Sequence, residues 1–405
     1  MRVIMLHYAA PPVVGGVERV IYHHATLLAG AGHEVHVVAG RGEPFAPGVA
    51  FHHLPEVDSR HPEVLALKAE LDAGRVPPGL AALAARLEGC LRQIVRAGDV
   101  LIAHNVLSLH KNLALTEALH RLAAGPDAPR LVAWHHDLAW RAARYQSEVH
   151  AGYPWDLLRQ SPPGVRHVAV SEARRRDVAA LFGLPLEDIA VVPGGVDVAA
   201  FYRLSPPLQE LLERLGLLEA WPCLLLPARI TRRKNIELAV RLLAPLRVGG
   251  FPQAMLVVTG PPGPHNPENW RYFEELHALR RSLGLEDAAH FLADHLPGGP
   301  DDAAMLGLYQ VADALLLPSL EEGFGLPLLE AALLRLPVFC SDIPPLRELA
   351  GQHATYFSPH AAPEAVADCI GRVLSADRAA LLRRKARQRY DWRRIVHDHV
   401  VPLLS

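Results

Sequence analysis

Short apolar runs alternate with longer amphipathic stretches along most of the chain, and this alternation predicts buried β-strands separated by α-helices. In the stretch 80–95, Leu80, Leu83, Leu87 and Leu91 recur at a spacing that places them on one face of a helix. The predicted strands of the first half are 3–6, 34–39, 100–103, 131–134 and 167–170. Strands that alternate with helices favour a parallel sheet covered by helices on both faces.

The same alternation resumes after Pro206 and Pro207, where the predicted strands are 223–226, 255–259, 290–292, 314–317 and 337–341. A chain of 405 residues is longer than one ordinary hydrophobic core, so the two halves predict two α/β domains. Turn-forming residues interrupt the pattern between Pro193 and Pro207. We therefore predict a first domain over 1–200 and a second over 201–385.

Net charge, cysteine spacing and hydropathy limit the possible partners and the cellular location of the protein. The formal net charge of -2 argues against a general nucleic-acid-binding protein. Cys90, Cys223, Cys340 and Cys369 lack Cys-x-x-Cys spacing, which indicates a reducing compartment and no zinc site. The apolar start is too short for a signal peptide, and no stretch has the roughly 20 apolar residues of a membrane-spanning helix. We therefore expect a cytoplasmic protein.

The most informative segment is 318–330, in which Glu322 and Glu330 flank a glycine-rich turn that opens a predicted helix. Gly323 and Gly325 let the backbone approach a ligand closely, and free N–H groups at a helix start favour phosphate. Two carboxylates would repel the phosphate itself, so they are better suited to accept hydrogen bonds from sugar hydroxyls beside it. The predicted ligand is a sugar nucleotide.

This segment resembles the Glu-x7-Glu motif of the retaining glycosyltransferases of family 4, which have the GT-B fold. The resemblance implies an acceptor-side and a nucleotide-sugar-binding domain, both doubly wound and Rossmann-like, facing each other across a cleft. It also implies a C-terminal helix, here 386–405, that crosses back to the first domain. Glu322 would meet hydroxyls of the donor sugar, and Glu330 would bind the nucleotide ribose. The residues implied to contact donor phosphate or sugar are Gly323, Phe324, Gly325 and Leu326.

Two basic residues in the loop after the predicted strand 223–226 extend the resemblance, because the family keeps an Arg and a Lys there against the donor diphosphate. Arg229 and Lys234 match them, whereas we expect Arg232 and Arg233 to face solvent. Departure of a nucleoside diphosphate leaves negative charge on phosphate oxygens, which fixed cations stabilise in the transition state. Lys234 is one of only four lysines in the chain.

In the first half, two loops that follow predicted strands also match family segments. Gly15 and Gly16 resemble a glycine pair that reaches the donor phosphate and the acceptor. His136 resembles a histidine close to the anomeric centre, where it would hydrogen-bond the sugar in transit rather than act as a nucleophile. The predicted catalytic set is His136, Arg229, Lys234 and Glu322.

Aromatic and basic residues concentrate after His136, although aromatic residues make up only 6% of the chain. Aromatic faces stack on sugars or pack a core, and arginines recognise carboxylates or phosphates. The segment therefore predicts either a subsite for a soluble acceptor with sugar or acidic groups, or a packed lid. The predicted acceptor residues, including two at the end of another strand, are His104, Asn105, Trp140, Arg141, Arg144 and Tyr145.

The chain contains no Asp-x-Asp, the motif with which the other major glycosyltransferase fold holds a divalent ion on the diphosphate. Arg229, Lys234 and a helix N-terminus can replace that ion, so we expect no metal and no other cofactor. The sequence identifies no carboxylate as a covalent nucleophile. Front-face attack assisted by the departing phosphate is therefore our hypothesis for the retention of anomeric configuration that the resemblance implies.

Together these features predict transfer of a hexose from a nucleotide-diphosphate sugar, GDP-mannose or UDP-glucose, to a hydroxyl of a small soluble acceptor. The alternative is a lipid-linked or cell-envelope glycan acceptor at the cytoplasmic face of a membrane. The basic residues that could meet anionic headgroups there are Arg383, Arg384, Lys385, Arg387 and Arg389. A sugar-nucleotide epimerase and a non-catalytic sugar-nucleotide sensor are less favoured, and the sequence carries no signal for an oligomeric state.

Overall fold

The apolar runs of the first half form parallel strands buried on both faces, which explains their near-continuous Val, Ile and Leu content. In the computed structural model, which describes residues 1–405, the strands are β1 (Arg2–Ala9), β2 (Glu34–Arg41), β3 (Val49–His53), β4 (Val100–His104), β5 (Arg130–His135), β6 (Arg166–Ala169) and β7 (Ile189–Val191). They form one parallel sheet in the order β3-β2-β1-β4-β5-β6-β7. Along β1, Val3 and Met5 pack into one apolar layer and Ile4 and Leu6 into the other.

The helices of this sheet begin and end where local sequence signals predict. They are α1 (Gly16–Gly30), α2 (Pro62–Asp72), α3 (Leu80–Ile94), α4 (Leu113–Ala124) and α5 (Glu172–Phe182). The side chain of Asn112 caps α4 by accepting a hydrogen bond from the Leu115 amide at 3.1 Å. Ser171 caps α5 in the same way, and Gly183 ends that helix in the left-handed conformation.

The second half builds a separate sheet of six parallel strands. They are β8 (Cys223–Leu226), β9 (Met255–Val258), β10 (Ala289–Phe291), β11 (Ala314–Leu317), β12 (Val338–Ser341) and β13 (Thr355–Phe357). Their order is β10-β9-β8-β11-β12-β13, so the direction of winding reverses between β8 and β11. Ligands of such sheets bind beyond the carboxyl ends of the strands at this reversal.

The helices of the second sheet are α6 (Val198–Phe201), α7 (Pro206–Arg214), α8 (Ile236–Val248), α9 (Glu268–Ser282), α10 (Asp302–Val311), α11 (Leu326–Leu333), α12 (Pro344–Ala350), α13 (Pro363–Ala376) and α14 (Arg378–Arg389). The predicted α/β fold with two doubly wound domains is confirmed. Measured by length and hydropathy, none of the helices could cross a lipid bilayer.

Three strands escaped the search for apolar runs, namely β3, β7 and β13. All three lie at sheet edges, and each has only one buried residue, so they lack an apolar run. The fourth edge strand, β10, is buried at every residue and was predicted. The apolar-run criterion therefore finds buried strands and misses partly exposed edges.

The chain divides into unit 1, which comprises Met1–Gly195 and Tyr390–Ser405, and unit 2, which comprises Val196–Arg389. The returning terminus contains α15 (Trp392–Ile395), a π-helical turn (Val396–Val400) and α16 (Val401–Leu404). The Trp392 side chain packs into the unit 1 core, and a Cβ at Gly195 would lie 2.8 Å from its ring. Only glycine permits this close approach.

The limits of unit 2 differ slightly from those of the predicted second domain. Unit 2 begins at Val196 rather than at 201, and it ends at Arg389 rather than at 385. Arg387 accounts for the second difference. Its side chain, 2% exposed, donates to Asp313, 0% exposed, at 3.0 Å and to the Ala220 carbonyl at 2.8 Å. The Asp313 carboxylate also accepts from the Cys223 amide at 2.9 Å, which ties α14 to the start of β8.

These contacts also correct the proposed basic patch for lipid headgroups. Arg383 donates to the Ala312 carbonyl at 2.7 Å and pairs with Asp313 at 3.2 Å. Arg387 is buried. Two of the five basic side chains therefore serve the interior of unit 2.

We expect Arg387→Ala to lower the free energy of unfolding of unit 2 by about 3 kcal/mol, because the buried Asp313 carboxylate loses its closest cation and keeps only Arg383 as an ion-pair partner. Urea unfolding followed by tryptophan fluorescence measures the change. Arg389→Ala, an exposed position on the same helix, is the matched control and should shift stability by under about 0.5 kcal/mol. Equal effects of the two substitutions would contradict a structural role for the buried pair.

Candidate functional site

In unit 2, Lys234 and Glu322 meet beyond the reversal point of the sheet. Lys234 lies in the loop after β8, and Glu322 lies in the loop after β11, the neighbouring strand. The Lys234 Nζ lies 2.5 Å from the Glu322 Oε1, and the two side chains are only 11% and 9% exposed. Two predicted catalytic residues, 88 positions apart, thus form one nearly buried ion pair.

Two further side chains hold the Glu322 carboxylate. The Ser319 hydroxyl, fully buried, donates to Glu322 Oε1 at 2.7 Å. The Arg233 guanidinium lies 3.7 Å from Glu322 Oε2. Arg233 faces solvent as predicted, since its side chain is 51% exposed, but it also reaches the Glu322 carboxylate. Arg232 pairs with Glu275 on the surface at 2.8 Å. Sequence reasoning missed Ser319, whose only signal was its place directly after a strand end.

The backbone also joins these two loops. The Leu320 amide donates to the Arg233 carbonyl at 2.8 Å. Asn235 adopts a left-handed conformation with φ 50° and donates its side-chain amide to the Pro359 carbonyl at 2.9 Å. These two hydrogen bonds thus fix the loop that carries Lys234 from both sides.

The glycine-rich turn after Glu322 ends at the start of α11. Gly325 has φ 107°, and a Cβ there would lie 2.7 Å from the Leu346 side chain, so the turn requires glycine. The amides of Gly323, Phe324 and Gly325 donate to no backbone acceptor. Leu326 is the first helical residue and Pro327 the second. Free amides at a helix start suit a phosphate or a sugar oxygen.

Glu330 lies one turn further along α11, and its side chain is fixed by a tyrosine. The Tyr309 hydroxyl donates to Glu330 Oε2 at 2.5 Å. Burial, and then the Glu330 carboxylate, raise the pKa of Tyr309 well above its usual value, so the phenol remains a donor. One Glu330 oxygen therefore remains available for a hydroxyl such as that of a ribose.

Arg229 is exposed in the same loop as Lys234 and forms no ion pair. The chain after β9 packs closely under it. A Cβ at Gly260 would lie 2.5 Å from the Ala228 carbonyl oxygen, and the Gly260 amide donates to that oxygen at 3.1 Å. An exposed, unpaired guanidinium in the loop that carries Lys234 is suited to an anionic ligand.

In unit 1, the predicted glycine pair lies between β1 and α1. Gly15 is the N-terminal cap of α1, and a Cβ at this position would overlap the carboxylate of Glu18, which folds back over it. Gly16 is exposed, and no atom lies within 4 Å of its Cβ position. Close packing against Glu18 accounts for glycine at position 15, whereas Gly16 is accessible to a ligand.

His136 follows β5 and is oriented by Asn105, which follows β4, the neighbouring strand. Asn105 has φ 62°, and its side-chain oxygen accepts from the amides of His136 at 2.8 Å and Asp137 at 3.1 Å. His104 Nδ1 lies 3.2 Å from His136 Nε2. Because His104 and Asn105 are almost completely buried, the geometry favours a positioning role over the predicted contact with an acceptor.

The histidines around this loop are neutral. Burial, with a smaller effect of His7, lowers the pKa of His136 to about 3. Burial also lowers the pKa of His7 to about 4 and that of His104 well below its usual value. At neutral pH His136 can therefore donate or accept a hydrogen bond but carries no charge.

The segment after His136 combines packing and exposed charge. Trp140 donates its indole N–H to the Trp155 carbonyl at 3.1 Å and packs against the core, as in the lid alternative. Arg141 lies 3.6 Å from Asp177, and Arg144 lies 3.1 Å from Asp137.

Asp72, His110 and Glu148 place three ligand-type atoms within 4.8 Å of one another in unit 1. Lys68 lies 2.5 Å from Asp72 and 2.8 Å from Glu148. An ammonium group thus already neutralises the carboxylates that a metal ion would need.

Comparison with known families agrees with this arrangement. A model described as Glycosyltransferase Family 4 matches residues 14–200, and a model described as Glycosyl transferases group 1 matches residues 210–390. The chain belongs to the family 4 glycosyltransferases, as the Glu-x7-Glu segment predicted, and it is a GT-B enzyme that uses nucleotide sugars.

Several relatives align over much of their length. Glycogen synthase of Mycobacterium tuberculosis (strain ATCC 25618 / H37Rv) is 29% identical over 98% of this chain and 92% of its own. Mannosylglucosylglycerate synthase of Thermotoga maritima is 25% identical over 85% and 83%, respectively. D-inositol 3-phosphate glycosyltransferase of Kineococcus radiotolerans is 33% identical over 45% and 40%.

We expect the unfolding free energy of unit 1 to fall as pH drops from 6.5 towards 4.5. Burial lowers the pKa of His24 and His136 to about 3 and that of His7 and His167 to about 4. In this window the unfolded chain binds protons that the folded chain refuses, so each histidine costs about 1.4 kcal/mol per pH unit. Urea unfolding at several pH values measures the slope.

His24→Phe should reduce that slope by one proton, because both ring nitrogens of His24 are buried without a hydrogen-bond partner. His397→Gln, at a highly exposed position, is the control and should leave the slope unchanged. An unchanged slope in His24→Phe would contradict the neutral buried state.

Proposed function

We propose that this enzyme transfers a hexose, with retention of configuration, from a nucleotide-diphosphate sugar to a hydroxyl of a small soluble acceptor that contains sugar or acidic groups. GDP-mannose and UDP-glucose are the proposed donors, and the cytoplasm is the proposed location. The observation that carries the proposal is the nearly buried Lys234–Glu322 pair, which the glycine-rich turn with its free backbone amides follows directly in sequence.

Each of these residues has a chemical role in the proposed reaction. Lys234 and Arg229 bind the diphosphate and stabilise the charge that grows on it as the glycosidic bond breaks. Glu322 accepts hydrogen bonds from the hexose hydroxyls, and the amides of the turn bind phosphate or sugar oxygens. Glu330, fixed by Tyr309, accepts hydrogen bonds from the ribose.

Donor binding has to change the Lys234–Glu322 contact, because the ammonium must reach phosphate oxygens and the carboxylate must reach hydroxyls. The Ser319 hydroxyl and Arg233 remain as partners of Glu322 when Lys234 turns to the diphosphate. The carboxylate therefore keeps its orientation throughout the exchange.

The proposed chemistry is front-face attack, in which the departing phosphate oxygen accepts the proton of the acceptor hydroxyl. The bond from the anomeric carbon to the phosphate oxygen breaks, and the bond to the acceptor oxygen forms on the same face. Neutral His136 hydrogen-bonds the hexose during this step. Fixed cations supply the positive charge, so we propose catalysis without a metal ion.

Relatives act on sugar-containing or phosphorylated solutes according to their names, mannosylglucosylglycerate synthase and D-inositol 3-phosphate glycosyltransferase. These names support a small acceptor with polar or acidic groups. The alternative lipid-linked acceptor receives no support from α14, because Arg383 and Arg387 bind Asp313.

Lys234→Ala and Glu322→Ala should each lower turnover by roughly 100-fold, because each removes a group that stabilises the transition state. Release of nucleoside diphosphate from the donor, measured with a coupled assay, reports the rate. Arg232→Ala is the matched control in the same loop, since its guanidinium pairs with Glu275 away from Glu322. Near-wild-type turnover in both test variants would contradict the assignment of Lys234 and Glu322 to the active site.

Donor hydrolysis should continue in the presence of EDTA, and the first sugar anomer released should match that of the donor. The physical reasons are the fixed cations at the diphosphate and attack on the face from which it leaves. Proton NMR of the early product resolves the two anomers before they equilibrate. Loss of activity in EDTA would refute metal independence, and the opposite anomer would refute retention.

A further inference from the structure

A second cluster of positive charge lies in unit 1, beyond the carboxyl ends of β4 and β5. Lys111 follows β4, and Arg144 and Tyr145 follow β5, its neighbour in the sheet. The Lys111 Nζ lies 4.6 Å from the centre of the Tyr145 ring, and the Arg144 guanidinium carbon lies 4.7 Å from it. Two cations from different loops therefore converge on one aromatic ring.

The carboxylates near this ring are already paired with cations, and none of them pairs with Lys111. Asp72 and Glu148 both bind Lys68, and Glu148 also lies 2.7 Å from His110 Nε2. Asp137 binds Arg144. Lys111 is left with the tyrosine ring and without an ion pair.

Lys111 is also partly buried, so its charge has lost some of its water. Burial, and then the charge of Lys68, lower the pKa of Lys111. Contact with an aromatic face compensates such a charge only in part. An anion beside Lys111 would stabilise the charged ammonium form, which burial disfavours.

We propose that Lys111 and Arg144, arranged around Tyr145, form a subsite for an anionic group, phosphate or carboxylate, on the acceptor. This assignment rests on the proposed transferase function and narrows its acceptor to an anionic one. Lys111 was absent from the residues predicted from sequence, because no motif surrounds it. A divalent cation does not suit the same place, since Lys68 and Lys111 would both repel it.

The test uses acetylation of the full-length wild-type protein, followed by mass spectrometry of each lysine. The chain has only Lys68, Lys111, Lys234 and Lys385, so every site is resolved. Inorganic phosphate should slow acetylation of Lys111 about fivefold near pH 8, because a bound anion stabilises the unreactive ammonium form. Exposed Lys385 should be unaffected at the same ionic strength set with sodium chloride.

Replacing phosphate with acetate distinguishes a subsite for a phosphate group from one that also binds carboxylates. Protection by phosphate alone assigns the subsite to a phosphate group, and protection by both anions assigns it to carboxylates as well. Arg144→Gln should weaken the protection, whereas Arg86→Gln, an exposed arginine of unit 1 that pairs with Glu63, should not. Unprotected Lys111, or equal protection of Lys385, would overturn the proposal.

The same experiment tests the donor site independently. UDP or GDP should protect Lys234 if the proposed function holds. Protection of Lys234 by nucleotide without protection of Lys111 by phosphate would remove the acceptor subsite alone. Protection of Lys111 without protection of Lys234 would instead remove the proposed donor site and leave an anion-binding site in unit 1.

Discussion

The contact between Lys234 and Glu322 determines how the rest of unit 2 is arranged around it. Two opposite charges that are almost hidden from water are stable only while each has partners. The reversal of strand order brings their loops to one edge of the sheet, and the Leu320–Arg233 backbone bond keeps the loops in register. Ser319, the left-handed Asn235 and the turn at Gly325 then fix the charges in place. Under the proposed function, the donor would meet the same groups that fix these two charges, so the contacts that stabilise the fold here would also select the ligand.

In unit 1, the loop after β5 orients a neutral group, the His136 imidazole, rather than an ion pair. Asn105, in a conformation that few residues other than glycine adopt, accepts both amides of the His136 turn. The imidazoles behind it are buried and neutral, so the loop is positioned by hydrogen bonds and shape rather than by charge. Such a loop offers hydrogen-bonding groups without adding a charge.

Much of the fold followed from the sequence because central parallel strands are read directly as apolar runs. The edge strands β3, β7 and β13 lack that pattern and were missed. At the site, Glu322 and Glu330 were found because their spacing lies within one local segment. The partners Ser319, Arg233 and Tyr309 were not found, because their roles depend on contacts between loops or helices. The sequence shows that His104 and Asn105 lie at the end of a strand. Only their burial in the structure distinguishes a positioning role from contact with an acceptor.

The return of the terminus to unit 1 has a consequence for synthesis of the protein. Unit 2 is continuous in sequence, whereas the core of unit 1 includes Trp392, Ile395 and Val396 from the last part of the chain. On the ribosome, most of unit 1 is therefore made first but cannot complete its core until Trp392, Ile395 and Val396 have emerged, after all residues of unit 2. Until then, the apolar surface that Trp392 covers stays open, and nascent chains truncated before this residue expose it to chaperones and proteases.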